Sequence, residues 1–395
     1  MTATGENPLL QGLPLLGDLP DLDGASVLVR VDFNVPLRPC ASGPPEVTDD
    51  FRIRAALPTI EYLGDRGAHV TACTHLGRPE GAPDPRYDLG PVREELARLA
   101  PQVELLENLR FDPGETANDP AFVEKLVNHH DAYVNDAFGV SHRRHASVVG
   151  PPTMLPSAAG LLLEREIDAL GRLLGEPGAP FVAVVGGAKV ADKLGVLKAL
   201  LHHVDALVVG GGMAFTFLAA QGHDIGGSLV DRDRIDECAA LLASDTPILL
   251  PTDIVALEPG AEFGCDCSGG QVRTVGSDIP DGWQGLDIGP ETVAAYRECI
   301  TGAATVLWNG PMGVFEDQRF CAGTAGVAEA VAECPGYTVV GGGDSAAAVD
   351  ELGLVDRIDF ISTGGGASLE LLEFGDLPGL AALRGAPNAP GHTAT

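Results

Sequence analysis

The chain has 395 residues, 45% hydrophobic and 21% charged, with a formal net charge of −31. That length exceeds one ordinary core and predicts two domains. So strong an acidic excess repels nucleic acid and anionic membranes, and no apolar run reaches the roughly 18 residues of a membrane-spanning helix. Met1–Gln11 has no basic segment ahead of an apolar stretch, so no secretory signal is expected and the cytoplasm is the default compartment. Eight cysteines are scattered: Cys40, Cys73, Cys238, Cys265, Cys267, Cys299, Cys321 and Cys334. Cys265 and Cys267 are too closely spaced for a usual zinc pair, and all eight read as free thiols in a reducing cytosol.

In chain order, strands are expected at Val27–Val31, Val70–Thr74, Val103–Leu106 and Ala132–Val134, with helices at Arg52–Arg66, Pro91–Leu99 and Ala121–Val127. Val- and Leu-rich runs without polar interruption imply a parallel sheet covered on both faces. Pro151–Pro156 breaks the pattern. Ala158–Leu174 then reads as an amphipathic helix, with Leu161, Leu162, Ile167, Leu170 and Leu174 near helical spacing. The second half repeats the theme with strands at Phe181–Val185, Ala206–Val209, Pro247–Leu250, Thr305–Trp308 and Tyr337–Val340. Its helices are expected at Ala191–Leu201, Met213–Ala220, Arg232–Leu242, Pro290–Ile300, Thr324–Glu333 and Ser345–Glu351.

The fold class is α/β: two doubly wound, Rossmann-like parallel-sheet domains joined by a helix and hinge. The expected divisions are 1–155, an inter-domain helix at 156–176, 177–370, and a C-terminal segment at 371–395 packing back on the first domain. The tail Gly385–Thr395, rich in Gly, Pro and Ala, reads as loosely ordered.

Four strand ends in the second half run into glycine: Gly186-Gly187-Ala188-Lys189, Gly210-Gly211-Gly212-Met213, Gly341-Gly342-Gly343-Asp344-Ser345 and Gly364-Gly365-Gly366-Ala367. Backbone amides at such turns favour phosphate, and glycine lets it approach. No Walker lysine loop is present, and the dinucleotide fingerprint is not cleanly present after the first strand.

The first half instead sets arginine and histidine at strand ends: Arg30-Val31-Asp32-Phe33-Asn34, His75-Leu76-Gly77-Arg78, Asn108-Leu109-Arg110 and His142-Arg143-Arg144-His145, with Arg52 heading a helix. Arginine forks suit phosphate and carboxylate. Lysine occurs only as Lys125, Lys189, Lys193 and Lys198, so three of four cluster beside one glycine turn. One domain shaped for a polyphosphate and one for a compact anion point to phosphoryl transfer, which needs charge neutralisation and positioning.

These motifs, in this order and over nearly the whole chain, resemble the phosphoglycerate kinase family. The resemblance rests on Arg30-Val31-Asp32-Phe33-Asn34-Val35-Pro36, His75-Leu76-Gly77-Arg78-Pro79, Tyr133-Val134-Asn135-Asp136-Ala137-Phe138-Gly139 and Gly186-Gly187-Ala188-Lys189-Val190-Ala191-Asp192-Lys193. Trp308-Asn309-Gly310-Pro311, Gly341-Gly342-Gly343-Asp344 and Ser362-Thr363-Gly364-Gly365-Gly366 complete it.

The resemblance implies reversible phosphoryl transfer from 1,3-bisphosphoglycerate to ADP in glycolysis, in line, with Mg²⁺ and domain closure, by a cytoplasmic monomer. It implies that Asp32, Phe33, Asn34, Arg52, His75, Leu76, Gly77, Arg78, Arg110 and Arg143 bind 3-phosphoglycerate in domain 1–155. Gly187, Lys193, Gly212, Asn309, Glu316, Gly342, Gly343, Asp344 and Ser345 would bind nucleotide in domain 177–370, with Glu316 on the ribose and Asp344 on Mg²⁺. Ser345 would face the phosphates, and Arg52, Lys189, Gly365 and Gly366 would stabilise the transferring group.

The chain departs from the family pattern between His75 and Arg110, where about one strand–helix unit is missing. Met312 stands where valine is frequent, and Ser345 where threonine is. A kinase for another small carboxylate is opposed by the full arginine set. A non-catalytic nucleotide-binding scaffold predicts loss of Arg52, Lys189 or Asp344, all present, and a dinucleotide-dependent dehydrogenase fits the fold class but not the motifs.

Overall fold

A computed structural model describes residues 7–38, 45–264, 267 and 269–390; Cys40, Cys265 and the last five residues of the tail lie outside them. The backbone divides into two units, Met1–Gly171 with Phe374–Thr395, and Arg172–Glu373. The chain leaves the first unit within the helix Leu161–Leu174 and returns within the helix Gly365–Phe374.

The first unit carries β1 (Ser26–Arg30), a short hairpin of β2 (Leu37–Arg38) and β3 (Glu46–Val47), then β4 (His69–Cys73), β5 (Glu104–Leu105), β6 (Ala132–Asn135) and β7 (Ser157–Ala159). The main sheet is parallel, in the order β5-β4-β1-β6-β7. Val27 and Val29 are fully buried, and Ile53, Ala56, Ile60 and Leu63 form the buried stripe of the helix Phe51–Gly64. That stripe seats the helix against the sheet and sets Arg52 at its first turn.

Two expectations for this unit are corrected. Ala158 and Ala159 belong to a strand, not to the long helix. They pair with Val134 and Asn135, and the helix begins only at Leu161, where Asp136 Oδ1 accepts from the Leu162 and Leu163 amides. The tail is held down as far as it is described: Ala386 and Ala389 are buried, and Asn388 Oδ1 accepts from the Ser157 amide at 2.7 Å. The helix Pro378–Arg384 donates from the Gly379 amide to the Ser141 carbonyl at 2.8 Å.

The second unit carries β8 (Phe181–Val185), β9 (Ala206–Val209), β10 (Ile248–Leu249), β11 (Asp253–Leu257), β12 (Val272–Gly276), β13 (Gln284–Ile288), β14 (Thr305–Asn309), β15 (Tyr337–Gly341) and β16 (Phe360–Ile361). Its parallel sheet runs β10-β9-β8-β14-β15-β16, the dinucleotide-type order. A second, antiparallel sheet, β12-β11-β13, has no counterpart in the sequence reading. Asp253 fixes it to the helix Pro290–Thr301 by accepting from the Glu291 and Thr292 amides at 3.1 and 2.7 Å. The helix expected from Ala191 starts at Leu194, after Lys193, whose backbone at φ −125° and ψ −1° lies outside the helical range.

Candidate active site

Both parallel sheets reverse their winding once, between β1 and β6 and between β8 and β14. Crevices beyond the carboxyl ends of the strands at such switch points are where open α/β sheets take ligands. In the first unit β1 leads into Asp32 and Asn34, and β4 into His75. Arg52 Nη1 donates to Asp32 Oδ2 at 3.0 Å and to the Asn34 carbonyl at 3.2 Å. Asn34 Oδ1 accepts from the Gly77 amide at 2.8 Å, while Arg110 Nη1 donates to the Gly77 carbonyl at 2.6 Å. Gly77 has φ +61°, and an added Cβ would lie 2.1 Å from the Tyr87 ring, so this tie between Asn34 and Arg110 requires glycine.

His75 is buried, with Arg30 Nη2 at 3.3 Å from its Nδ1. A guanidinium only donates, which assigns the ring proton to Nε2. Burial, then Arg30, Arg110 and Arg52, hold His75 well below its ordinary 6.5, so the ring is neutral at pH 7. Arg30 is itself fully buried; its Nε donates to Ser147 Oγ at 2.9 Å, and that hydroxyl donates to buried Glu115 at 2.7 Å. The sequence shows Arg30 only as the head of a motif and gives no sign of this network.

Arg78, Arg110, Arg143 and His145 line one cleft of about 480 Å³. Burial, then Arg143 and Arg30, lower Arg110 to about 10, which leaves it charged, and its buried Nε has no hydrogen-bond partner among the described residues. His142 and His145 are lowered to about 4, by burial and by the neighbouring arginines, so they add donors and acceptors without charge. Phe33 and Leu76 differ from the rest of the set. Their side chains lie in the core, and their amides are already bonded to Thr74 Oγ1 and Asn108 Oδ1.

In the second unit a cavity of about 340 Å³ has two faces. Gly187, Gly212, Glu316 and Asp344 supply the polar side. Phe215, Leu229, Ile254, Phe263 and Leu286 supply an apolar wall, part of it from the unforeseen antiparallel sheet. Lys193 Nζ donates to the Gly186 carbonyl at 2.7 Å and to Asn309 Oδ1 at 2.8 Å. Burial lowers Lys193 to about 8, against the opposing pull of Asp344 and Asp192. Asn309 Nδ2 is buried without a partner among the described residues.

Lys189 is exposed, as are Gly343 and Gly366, whereas Gly342 and Gly365 are half-buried. Ser345 is fully buried, and its hydroxyl accepts from the Gly310 amide at 2.6 Å, so it holds the turn after β14 rather than facing solvent. Asp344 is an exposed carboxylate at the first turn of the helix Gly343–Glu351. No cluster of three His, Cys, Asp or Glu side chains fit for a metal occurs among the described residues. A lone carboxylate beside a phosphate-shaped loop suits a magnesium ion whose other ligands are phosphate oxygens and water.

The family model of phosphoglycerate kinase matches residues 16–104 and 97–374. The two stretches overlap at residues 97–104. A phosphoglycerate kinase of Rubrobacter xylanophilus is 53% identical over 389 residues, covering 92% of this chain and 96% of the relative. One of Salinispora arenicola is 51% identical over 393 residues, covering 92% and 96%. The solved phosphoglycerate kinase of Coxiella burnetii matches with TM-score 0.80 at 36% identity, over 92% of this chain and 97% of that one. That of Pyrococcus horikoshii matches with TM-score 0.81 at 31% identity, over 94% and 99%.

Proposed function

The chain belongs to the phosphoglycerate kinase family, and on that premise we propose how its own residues carry the reversible transfer of a phosphoryl group from 1,3-bisphosphoglycerate to ADP, giving 3-phosphoglycerate and ATP. The cleft of the first unit takes 3-phosphoglycerate. Arg78, Arg110 and Arg143 grip its charged groups as forks, neutral His75 donates from Nε2, and Asp32 and Asn34 meet the hydroxyl and carboxylate end. Gly77 contributes the peptide that spaces Asn34 from Arg110, while Phe33 and Leu76 act through backbone position alone.

The cavity of the second unit takes the nucleotide. Its apolar wall receives the base and Glu316 the ribose. Gly187, Gly212, Gly342 and Gly343 let the phosphates approach; Lys193 and Asn309 Nδ2 meet them, and Ser345 holds the turn that carries Asn309. Asp344 would hold Mg²⁺, which supplies charge neutralisation on the β- and γ-phosphates when bound.

In the ATP-consuming direction a carboxylate oxygen of 3-phosphoglycerate attacks the terminal phosphorus. The bond from that phosphorus to the bridging oxygen breaks, and ADP leaves with the electron pair. The carboxylate is already ionised at pH 7, so no general base is needed. Arg52, Lys189 and the Gly365 and Gly366 amides spread the charge of the transferring group. We further propose a cytoplasmic monomer without a nucleic-acid partner; sedimentation at one chain mass checks the first, and no retention on DNA at low salt the second.

The observation that carries this reading is the convergence of Arg78, Arg110 and Arg143 on one cleft, with Arg52 bonded to Asp32, in a chain of net charge −31. Its test is turnover with Mg-ATP and 3-phosphoglycerate, coupled to NADH oxidation through glyceraldehyde-3-phosphate dehydrogenase, at low and high KCl. Activity at either salt supports it; silence at both from folded, ATP-binding protein overturns it.

A further inference from the structure

We infer that Asp317 and Arg319 form a positioning clamp that sets nucleotide affinity by holding Glu262–Gly264 and Gly269, between β11 and β12, against the cavity. The inference rests on the reading that this cavity takes the base.

Asp317 follows Glu316 in the chain and is 2% exposed. Its Oδ1 accepts from Arg319 Nε at 3.0 Å, and its Oδ2 from Arg319 Nη2 at 2.7 Å and from the Gly264 amide at 3.1 Å. Arg319 Nη2 also donates to the Glu262 carbonyl at 3.1 Å, and Nη1 donates to the Gly269 carbonyl. The residue before Phe263 is thus held through its carbonyl, and the residue after it through its amide.

Phe263 lines the cavity yet is 41% exposed, so packing alone does not fix its ring. Its place follows from that of its two neighbours, and theirs from one guanidinium and one carboxylate. The same pair anchors the turn bearing Glu316, on the polar side of the cavity. Under it, Leu257, Leu286 and Phe320 make a small buried cluster that gives the clamp a firm base. An ammonium could neutralise Asp317, but as a single point charge it cannot span the Glu262 and Gly269 carbonyls together with both carboxylate oxygens.

The experiment measures ADP and 3-phosphoglycerate dissociation constants by calorimetry on the full chain, with kcat and KM for both substrates. Its variants are Arg319→Ala, Arg319→Lys and Phe263→Ala. Arg319→Ala and Phe263→Ala are each expected to weaken ADP by about tenfold, the worth of one aromatic contact. For the Arg319 variants the 3-phosphoglycerate constants stay unchanged, and kcat at saturating ATP stays within about twofold of the unmodified protein, since uniform binding alone is lost. Arg319→Lys falls between and serves as the readout where Arg319→Ala does not fold. Loss of ADP affinity in Phe263→Ala but in neither Arg319 variant overturns the clamp and leaves the cavity reading standing. Unchanged ADP affinity in Phe263→Ala overturns the cavity reading and the clamp with it. Equal weakening of both ligands by an Arg319 variant marks a general structural role and also overturns the clamp.

Discussion

Arg52 joins the helix Phe51–Gly64 to the Asp32–Asn34 loop through two donated hydrogen bonds in the first unit, whereas the nucleotide cavity is lined by residues of the second. Arg52→Ala is therefore expected to lower kcat by ~10² to 10³, the cost of removing one preorganised donor, while the ADP dissociation constant stays within about twofold. Steady-state kinetics beside ADP titration checks it, and a matching loss of ADP affinity would move Arg52 to the nucleotide side. His142 makes a second prediction at this scale. It titrates at about 4 in the fold against an ordinary 6.5, so between those values the unfolded chain binds the extra proton and the residue's contribution to stability rises with pH. Asp136 and Asp287 work the other way: burial lifts each from 3.8 to about 7, so the native state holds the proton and their contributions fall as pH rises. Because the trends oppose, the whole-protein pH profile identifies neither. His142→Asn should lose less stability than the unmodified protein on going from pH 7 to pH 4.5, read as urea midpoints; parallel profiles would remove His142 from the account.

At the scale of elements, two glycine turns beside the nucleotide cavity pack backbone against backbone. Gly365 begins the helix Gly365–Phe374, and a Cβ there would sit 2.4 Å from the Gly342 Cα, backbone against backbone. Gly365→Ala must part the two turns, at a cost of about 1–3 kcal/mol in stability with weaker ADP binding. Thermal denaturation with and without ADP checks it: an unchanged midpoint and an unchanged ADP-induced shift would mean that the turns are free to separate. The parallel strands were legible because β8 and β14 are buried at every position and read as unbroken apolar runs. The antiparallel sheet was not. Val272-Arg273-Thr274-Val275-Gly276 is mostly exposed, and its pairing with β11 is a tertiary fact. With it went part of the apolar wall of the cavity, Ile254 and Leu286, while the strand-end arginines and glycines stood out by residue type. Ser157-Ala158-Ala159 has no local preference strong enough to mark a strand; pairing with β6 decides it. The burial of Arg30 against Ser147 and Glu115 was likewise hidden, since a motif shows which residues are present but not which charges lose their water.

For the molecule as a whole, 56 acidic against 25 basic residues leave a net charge of −31, and two consequences of that field oppose each other. Self-repulsion among carboxylates weakens the fold at low ionic strength, and added salt screens it, with a Debye length falling from about 30 Å at 0.01 M to about 3 Å at 1 M. The thermal midpoint is therefore expected to climb as KCl is raised from 10 mM to molar concentration. The cleft of Arg78, Arg110 and Arg143 draws its anion by the same electrostatics with the opposite sign, so screening weakens capture there. KM for 3-phosphoglycerate should rise over the same titration, while buried Arg110 keeps more of its attraction than exposed Arg78 and Arg143. Activity at subsaturating 3-phosphoglycerate then peaks at an intermediate salt, and at saturating substrate it follows stability alone. Thermal midpoints and KM values over one KCl series test both arms. A midpoint that falls steadily with salt would mean that the acidic surface is not a source of strain in the folded chain.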